Sequence, residues 1–229
     1  MKFNGILTII AALSVIMTVA LNFVPNNVPA ISVTPVCTVV LDAGHGEPDG
    51  GAVGVNGTLE KDINLSIAIK IREILESRGV RVIMTRTDDN SICDPDALTL
   101  HEKKVSDMHN REEIINNSDA DLFLSVHMNS FTSPSSSGLH IFYSRNHPEA
   151  EALATSVQEA IAAVTHAKTH SVKAASETLY LMKKPVPPAI LVECGFLSNP
   201  QEEKLLNDEV YQSKIAFAIA NAIIDEYTK

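Results

Sequence analysis

The sequence predicts an α/β fold: a single three-layer domain with a mostly parallel, twisted sheet covered by helices on both faces, preceded by an N-terminal hydrophobic segment. Three observations predict it. Short apolar runs of strand length alternate with stretches whose apolar residues recur at helical spacing. Three of those runs end in loops rich in glycine or asparagine: LDAGHGEPDGGAVG at 41–54, SVHMNS at 125–130 and ILVECGFLSNP at 190–200. Each delivers a histidine or a glutamate, and polar groups repeated at strand ends are how an open sheet builds a site along one edge. Finally, about 200 of the 229 residues follow the hydrophobic segment, enough for one well-buried core.

The elements follow in chain order. Ile6 to Val24 is mostly apolar, preceded by Lys2 and followed by PNNVPA. It reads as a membrane anchor with its positive end in the cytoplasm, or as a secretory signal cleaved near Thr18 and Ala20. Residues 1–30 are therefore assigned to the anchor and linker, and 31–229 to the catalytic domain. Thr38–Asp42 is the first strand. Ile63, Ile67, Ile71 and Ile74 mark a helix, with Thr58 as N-cap and Gly79 as the stop. Val80–Thr85 is a second strand, and the polar stretch 88–101 is a surface insertion. A helix from about Lys103 to Asn117 turns Val105, Met108 and Ile115 inward. Asp121–Val126 is a strand ending at His127, and Leu139–Tyr143 is another. Leu153, Val157, Ile161 and Val164 mark a helix. Thr178–Leu181 and Ala189–Glu193 complete the strands. A helix carrying Ile215, Ile219 and Ile223 closes the chain, capped by Asn207 or Asp208.

Composition narrows the function. A net charge of −10 argues against a nucleic-acid partner and against charge-driven binding to an anionic surface. Cys37, Cys93 and Cys194 are too few for a disulfide framework. Cys194 beside Glu193 reads as a small apolar filler at a strand end rather than as a nucleophile.

The chemistry lies in four residues. A catalytic metal takes three nitrogen or oxygen ligands and keeps one position open. His45 and His127 offer imidazoles at two strand ends, and Glu60 offers a carboxylate at the start of the following helix. Each has a bland alternative. His45 can anchor its glycine turn, Glu60 suits a helix N-terminus, and His127 can be satisfied by Asn129. Glu193 is harder to dismiss, because an acid behind four apolar residues costs stability unless it has a partner or a task. His101, His109, His140, His147, His166 and His170 read as surface groups.

DAGHG with its downstream glycines, the E..INL segment at Glu60, the run from Arg111 through ADLFLSVH.N to Asn129, and VE.GFLSNP occur in that order. This set resembles the zinc-dependent N-acetylmuramoyl-L-alanine amidases of the family-3 type over Val36 to the C-terminus. The resemblance implies one Zn2+ ion held by His45, Glu60 and His127, with Glu193 as the catalytic glutamate. It implies hydrolysis of the amide between the MurNAc lactyl group and L-alanine in peptidoglycan, with Asn129 as a candidate substrate contact. Glu47 departs from the family pattern, where glycine is common, and places a carboxylate near the metal. Met108 replaces a commoner leucine. The insertion at 88–104, the single domain and the absence of wall-binding repeats are similar to the sporulation and germination (CwlD-like) branch. That branch implies action on spore cortex leading to muramic δ-lactam.

Two rival readings stand beside this one. Glu60 and Glu193 would serve as a carboxylate pair in a metal-independent glycan hydrolase, which leaves both histidines idle. A noncatalytic peptidoglycan-binding scaffold would not need all four positions filled. The expected setting is extracytoplasmic, membrane-anchored or secreted, in the forespore envelope, with membrane contact through the N-terminal segment and an accessory spore-envelope protein as partner.

Overall fold

The structure, a computed structural model, describes residues 34–229. The hydrophobic segment lies outside the described residues. Residues 35–229 form one compact unit. Strands β1 (Thr38–Ala43), β2 (Arg81–Met84), β3 (Leu122–Asn129), β4 (His140–Tyr143), β5 (Lys173–Ala174) and β6 (Ala189–Phe196) form a sheet in the order β2-β1-β3-β6-β4-β5. All neighbours are parallel except β4 and β6. The central strands β1, β3 and β6 are buried on both faces, which is why each reads as an unbroken apolar run.

The two faces are covered unequally. Helices α1 (Glu60–Ser77), α3 (Ala150–Thr165) and α5 (Glu209–Tyr227) pack on Val39, Leu41, Leu124, Val126, Ile190 and Val192 to form the main core. The opposite face carries Val40, Phe123 and Leu191. There the cover is α2 (Leu100–Asn117) and a single 3-10 turn, Tyr180–Met182. By the period-two alternation of strands, Ser125 and His127 share a face with Phe123, and Glu193 shares one with Leu191. The reactive groups thus sit on the thinly covered face, beyond the smaller core.

Several expectations are corrected. Thr58 is not the cap of α1: Leu59 holds that position without a side-chain bond. The first helical N–H groups, of Glu60 and Lys61, instead reach the carbonyls of Ala52 and Gly50, while the Thr58 hydroxyl accepts from Asn207. Gly79 does follow the helix end, at φ +80°. Helix α2 starts at Leu100 through a capping box between Thr99 and Glu102, and its inward face is Asp107, Arg111 and Ile115. Val105 is consequently exposed. The stretch expected as a strand at Thr178–Leu181 is not one: it runs into the 3-10 turn Tyr180–Met182, and the edge strand is Lys173–Ala174. A short helix, α4 (Pro200–Leu206), was not anticipated; Asn199 caps it and Pro200 fills its first turn. Asp208 caps α5, accepting from the Tyr211 N–H at 2.8 Å.

Candidate active site

His45, Glu60 and His127 converge from three elements. His45 follows β1 in a tight loop and adopts φ +64°, a left-handed conformation uncommon outside glycine. Glu60 is the first residue of α1, and His127 lies within β3 beside Glu193 of β6, in register. Glu60 bridges the imidazoles, with Oε1 2.9 Å from His127 Nδ1 and Oε2 3.2 Å from His45 Nε2. One potential ligand atom from each of the three lies within 4.8 Å of the others.

The backbone is shaped to allow this approach. A Cβ on Gly44 would stand 2.2 Å from His127 Cε1, and one on Gly51 would stand 2.6 Å from Glu60 Oε2. The His45 loop is gripped from beneath by two buried arginines. Arg111 donates to the carbonyls of Ala43 and His45 at 3.0 and 2.6 Å. Arg86 donates to those of Ala43 and Gly44 at 2.8 and 3.0 Å. Arg111 also pairs with Asp42, which accepts hydroxyl bonds from Thr85 and Ser125 at 2.7 Å each. Burial opposes that carboxylate, but the Arg111 guanidinium, His127 and the two hydroxyls together hold Asp42 down at about 2.

The electrostatics favour a cation among the three groups. Burial alone would lower the His45 pKa, yet hydrogen bonds to Asp49 and Glu60 outweigh it and raise it to about 9. His127 is raised as well, burial being outweighed by Glu60. Burial pushes Glu60 up, but the two imidazoles together hold it far below the usual carboxylate range. Asp49 accepts from His45 Nδ1 at 3.0 Å and so fixes the ring with Nε2 turned toward Glu60. A carboxylate behind a histidine in this manner orients a metal ligand and raises its basicity.

Glu193 is in the opposite state. Burial, with Glu60 adding to it and the histidines opposing, pushes its carboxyl up to about 7. Its Oε2 is buried and has no hydrogen-bond partner among the described residues. An acid poised near neutrality with one oxygen free is suited to moving a proton. With His45 and His127 it lines a cavity of about 270 Å³ whose other wall is Met108, Leu179, Tyr180 and Met182. That wall is apolar, so a substrate entering here sheds water as it meets the polar edge.

Among the expected residues, Asn129 does not line this cavity; it lines another, with Phe131, His140 and Phe196. Glu47 is exposed, with its carboxylate 3.8 Å from the buried Lys61 ammonium. The supporting roles of Asp42, Asp49, Arg86 and Arg111 were not read from the sequence. The available signal was their position: two acids flanking His45, and an arginine directly after the second strand.

The fold and this edge define an α/β enzyme that offers a two-histidine, one-carboxylate metal group with a proton-carrying carboxyl beside it. The chain belongs to the Amidase_3 family, described as N-acetylmuramoyl-L-alanine amidase, whose model matches residues 39–225. It is accordingly a hydrolase of peptidoglycan. The germination-specific N-acetylmuramoyl-L-alanine amidase of Bacillus subtilis (strain 168) is 37% identical over 191 residues, covering 83% of this chain and 80% of the relative. The structure of the CwlD amidase from Clostridioides difficile, in complex with the GerS lipoprotein, is 42% identical with a TM-score of 0.79, covering 84% of this chain and 98% of that one. The catalytic domain of CwlV, an amidase from Bacillus (Paenibacillus) polymyxa var. colistinus, is 32% identical with a TM-score of 0.71, covering 83% and 97%.

Proposed function

We propose that the chain is a zinc-dependent amidase that cleaves the bond between the MurNAc lactyl group and L-alanine, acting on spore cortex so that muramic δ-lactam can form. The observation that carries the chemistry is the pairing of a cation-favouring His45–Glu60–His127 group with Glu193, whose buried Oε2 lacks a partner. Two imidazoles and one carboxylate are a donor set that suits zinc and leaves a position open.

Zinc, when bound, supplies a Lewis acid that polarises the scissile carbonyl and acidifies water. His45, Glu60 and His127 would hold it, with Asp49 and the two arginines fixing the loop that carries His45. Glu193 accepts a proton from the attacking water as the new C–O bond forms. It returns that proton to the alanine nitrogen as the C–N bond breaks, leaving a free amine and the lactyl carboxylate. The apolar wall of Leu179 and Met182 keeps bulk water from the proton path.

The cortex setting is supported by the germination-specific relative and by the CwlD structure. That CwlD is found with a lipoprotein supports an accessory envelope protein here too, and the −10 charge leaves little general attraction to anionic surfaces. We assign residues 1–30 to an export signal or anchor that places residues 31–229 outside the cytoplasm. No helix among the described residues is long and apolar enough to cross a membrane.

Metal content and turnover measured on two variants test the assignment. His127→Ala is expected to lose zinc and turnover together, whereas Glu193→Gln keeps zinc and loses turnover. Full zinc in the first, or zinc loss in the second, would reassign the residues.

A further inference from the structure

Helix α4 carries two consecutive acids in its first turn, Glu202 and Glu203. Acids there suit the helix dipole with no further task. The oxygens of both, however, are spent on other parts of the chain. Glu202 accepts the N–H groups of Gly138 and Phe196 at 2.8 and 2.7 Å. It thereby seats the loop before β4, where the His140 ring packs on that of His170 at 4.2 Å between centroids. Glu203 turns elsewhere. It is 1% exposed, and a carboxylate buried so far needs donors. Its donors belong to a segment 147 residues earlier. The Asn56 N–H lies 2.9 Å from Oε1, the Asn56 side-chain amide 2.7 Å from Oε2, and the Thr58 N–H 3.4 Å from Oε1. A Cβ on Gly54 would stand 2.2 Å from Oε1, so the carboxylate fills the hollow of that segment.

The segment is a hairpin. Val53 pairs antiparallel with Leu59, and Gly54 donates to the Thr58 carbonyl at 2.8 Å. Val53 and Val55 are exposed, so apolar packing does little to hold it. Among the described residues, the hydrogen bonds that tie 53–58 to distant parts of the chain all come from 197–207: the Leu197 carbonyl, Glu203 and the Asn207 amide. The base of the hairpin touches the metal group. Glu60 follows Leu59 directly, its N–H reaches the Ala52 carbonyl at 2.9 Å, and its Oε2 accepts the Ala52 N–H at 2.8 Å. Its Oε1 accepts from the Met128 N–H of β3 at 3.1 Å. One oxygen of this carboxylate is therefore set by the central sheet and the other by the hairpin.

We propose that Glu203 is a positioning residue for the metal group, anchoring the hairpin whose Ala52 N–H turns the Glu60 carboxylate toward His45. The inference rests on the reading of His45, Glu60 and His127 as zinc ligands. Groups that orient a metal ligand from behind govern affinity by about ten- to a hundredfold. Here the effect passes through the hairpin backbone, so the lower figure applies. Glu202 supplies the contrast: it sits on the same helix and also holds two backbone N–H groups, but it does not touch the hairpin.

Zinc affinity, read by competition with a chelating dye on protein shown to be folded by circular dichroism, is the test. Glu203→Ala is expected to bind zinc about tenfold more weakly, and Glu203→Gln, which keeps one acceptor, recovers part of the loss. Glu202→Ala is expected to lose stability yet hold zinc within about twofold of the wild type, a split that a merely structural role would not produce. Asn56→Ala removes one bond from an exposed position and stands in if Glu203→Ala does not fold; it is expected to weaken zinc about threefold. Wild-type zinc affinity in Glu203→Ala, or an equal loss in Glu202→Ala, would overturn the proposal. Hydrogen exchange on metal-free protein separates that failure from failure of the metal reading. The Ala52 N–H should exchange about tenfold faster in Glu203→Ala and at the wild-type rate in Glu202→Ala. Faster exchange at Ala52, with a wild type that binds zinc no better than His127→Ala, would remove the metal reading and leave Glu203 holding Glu60. Zinc lost in His127→Ala but kept in Glu203→Ala, with exchange at Ala52 unchanged, would do the reverse.

Discussion

Replacing Arg111 by Met should cost about 3–5 kcal/mol of stability and weaken metal binding as well. Arg111 and Asp42 are both about 1% exposed, and the arginine also serves Ala43, His45 and Asp107. Asp42 moves from 3.8 to about 2 in the folded chain, a difference of roughly 1.8 pH units or about 2.5 kcal/mol in favour of the charged form. Methionine is apolar and leaves that carboxylate buried with only two hydroxyl donors, and it strands the His45 carbonyl, while that of Ala43 keeps its bond from Arg86. Breaking a buried pair from one side is the costly case, which sets the range given. The sign with pH is specific. A carboxylate with a depressed folded value contributes stability above its unfolded value, near pH 4, and loses it as pH falls through about 2. In the variant Asp42 is raised instead, so the gap between the two proteins is widest at neutral pH and closes in acid. Urea unfolding at pH 7 and at pH 4, on metal-free protein, measures both points. A loss below about 1 kcal/mol at pH 7, or an equal loss at the two pH values, would refute the reasoning.

Two further outcomes follow from the site. Glu193 holds its proton up to about 7 in the folded chain against 4.5 in the unfolded one, so it erodes stability as pH rises through that window. Glu193→Gln should therefore stabilise the metal-free protein at pH 8 by roughly 1–3 kcal/mol, with little gain at pH 4.5, as read by unfolding midpoints; no gain at pH 8 would show that the carboxyl is not held neutral. Gly44→Ala should sharply lower zinc affinity, because the added methyl meets the His127 ring at 2.2 Å; equilibrium dialysis showing unchanged zinc binding would mean that the ring can turn aside.

Much of this arrangement was legible because it obeys simple periodicities. The strands β1, β3 and β6 are apolar runs since both of their faces are covered, and the acid or histidine ending such a run stands out against it. The departures have physical causes that hydrophobic periodicity does not carry. Helix α2 turns Asp107 and Arg111 inward, whereas hydrophobic spacing alone favours Val105, which is 43% exposed. Thr58 looked like a cap, but the loop backbone of Gly50 and Ala52 already satisfies the first turn of α1. Helix α4 is seven residues long, too short to display a period, and its signal is confined to Asn199 and Pro200. His140 and His170 gave no sequence signal. They are 30 residues apart, and the fold brings them together by placing β4 beside Glu193 and packing the segment before β5 against it. Proximity created by chain crossing leaves no local trace, whereas His45, Glu60, His127 and Glu193 were each marked by their own flanks.

The most direct test of the central claim is mass spectrometry of products from purified peptidoglycan, with the soluble domain zinc-loaded in one arm and chelated in the other. The account predicts free stem peptides beginning with L-alanine in the zinc-loaded arm alone. Glycan fragments, or equal release of peptides in the chelated arm, would contradict it.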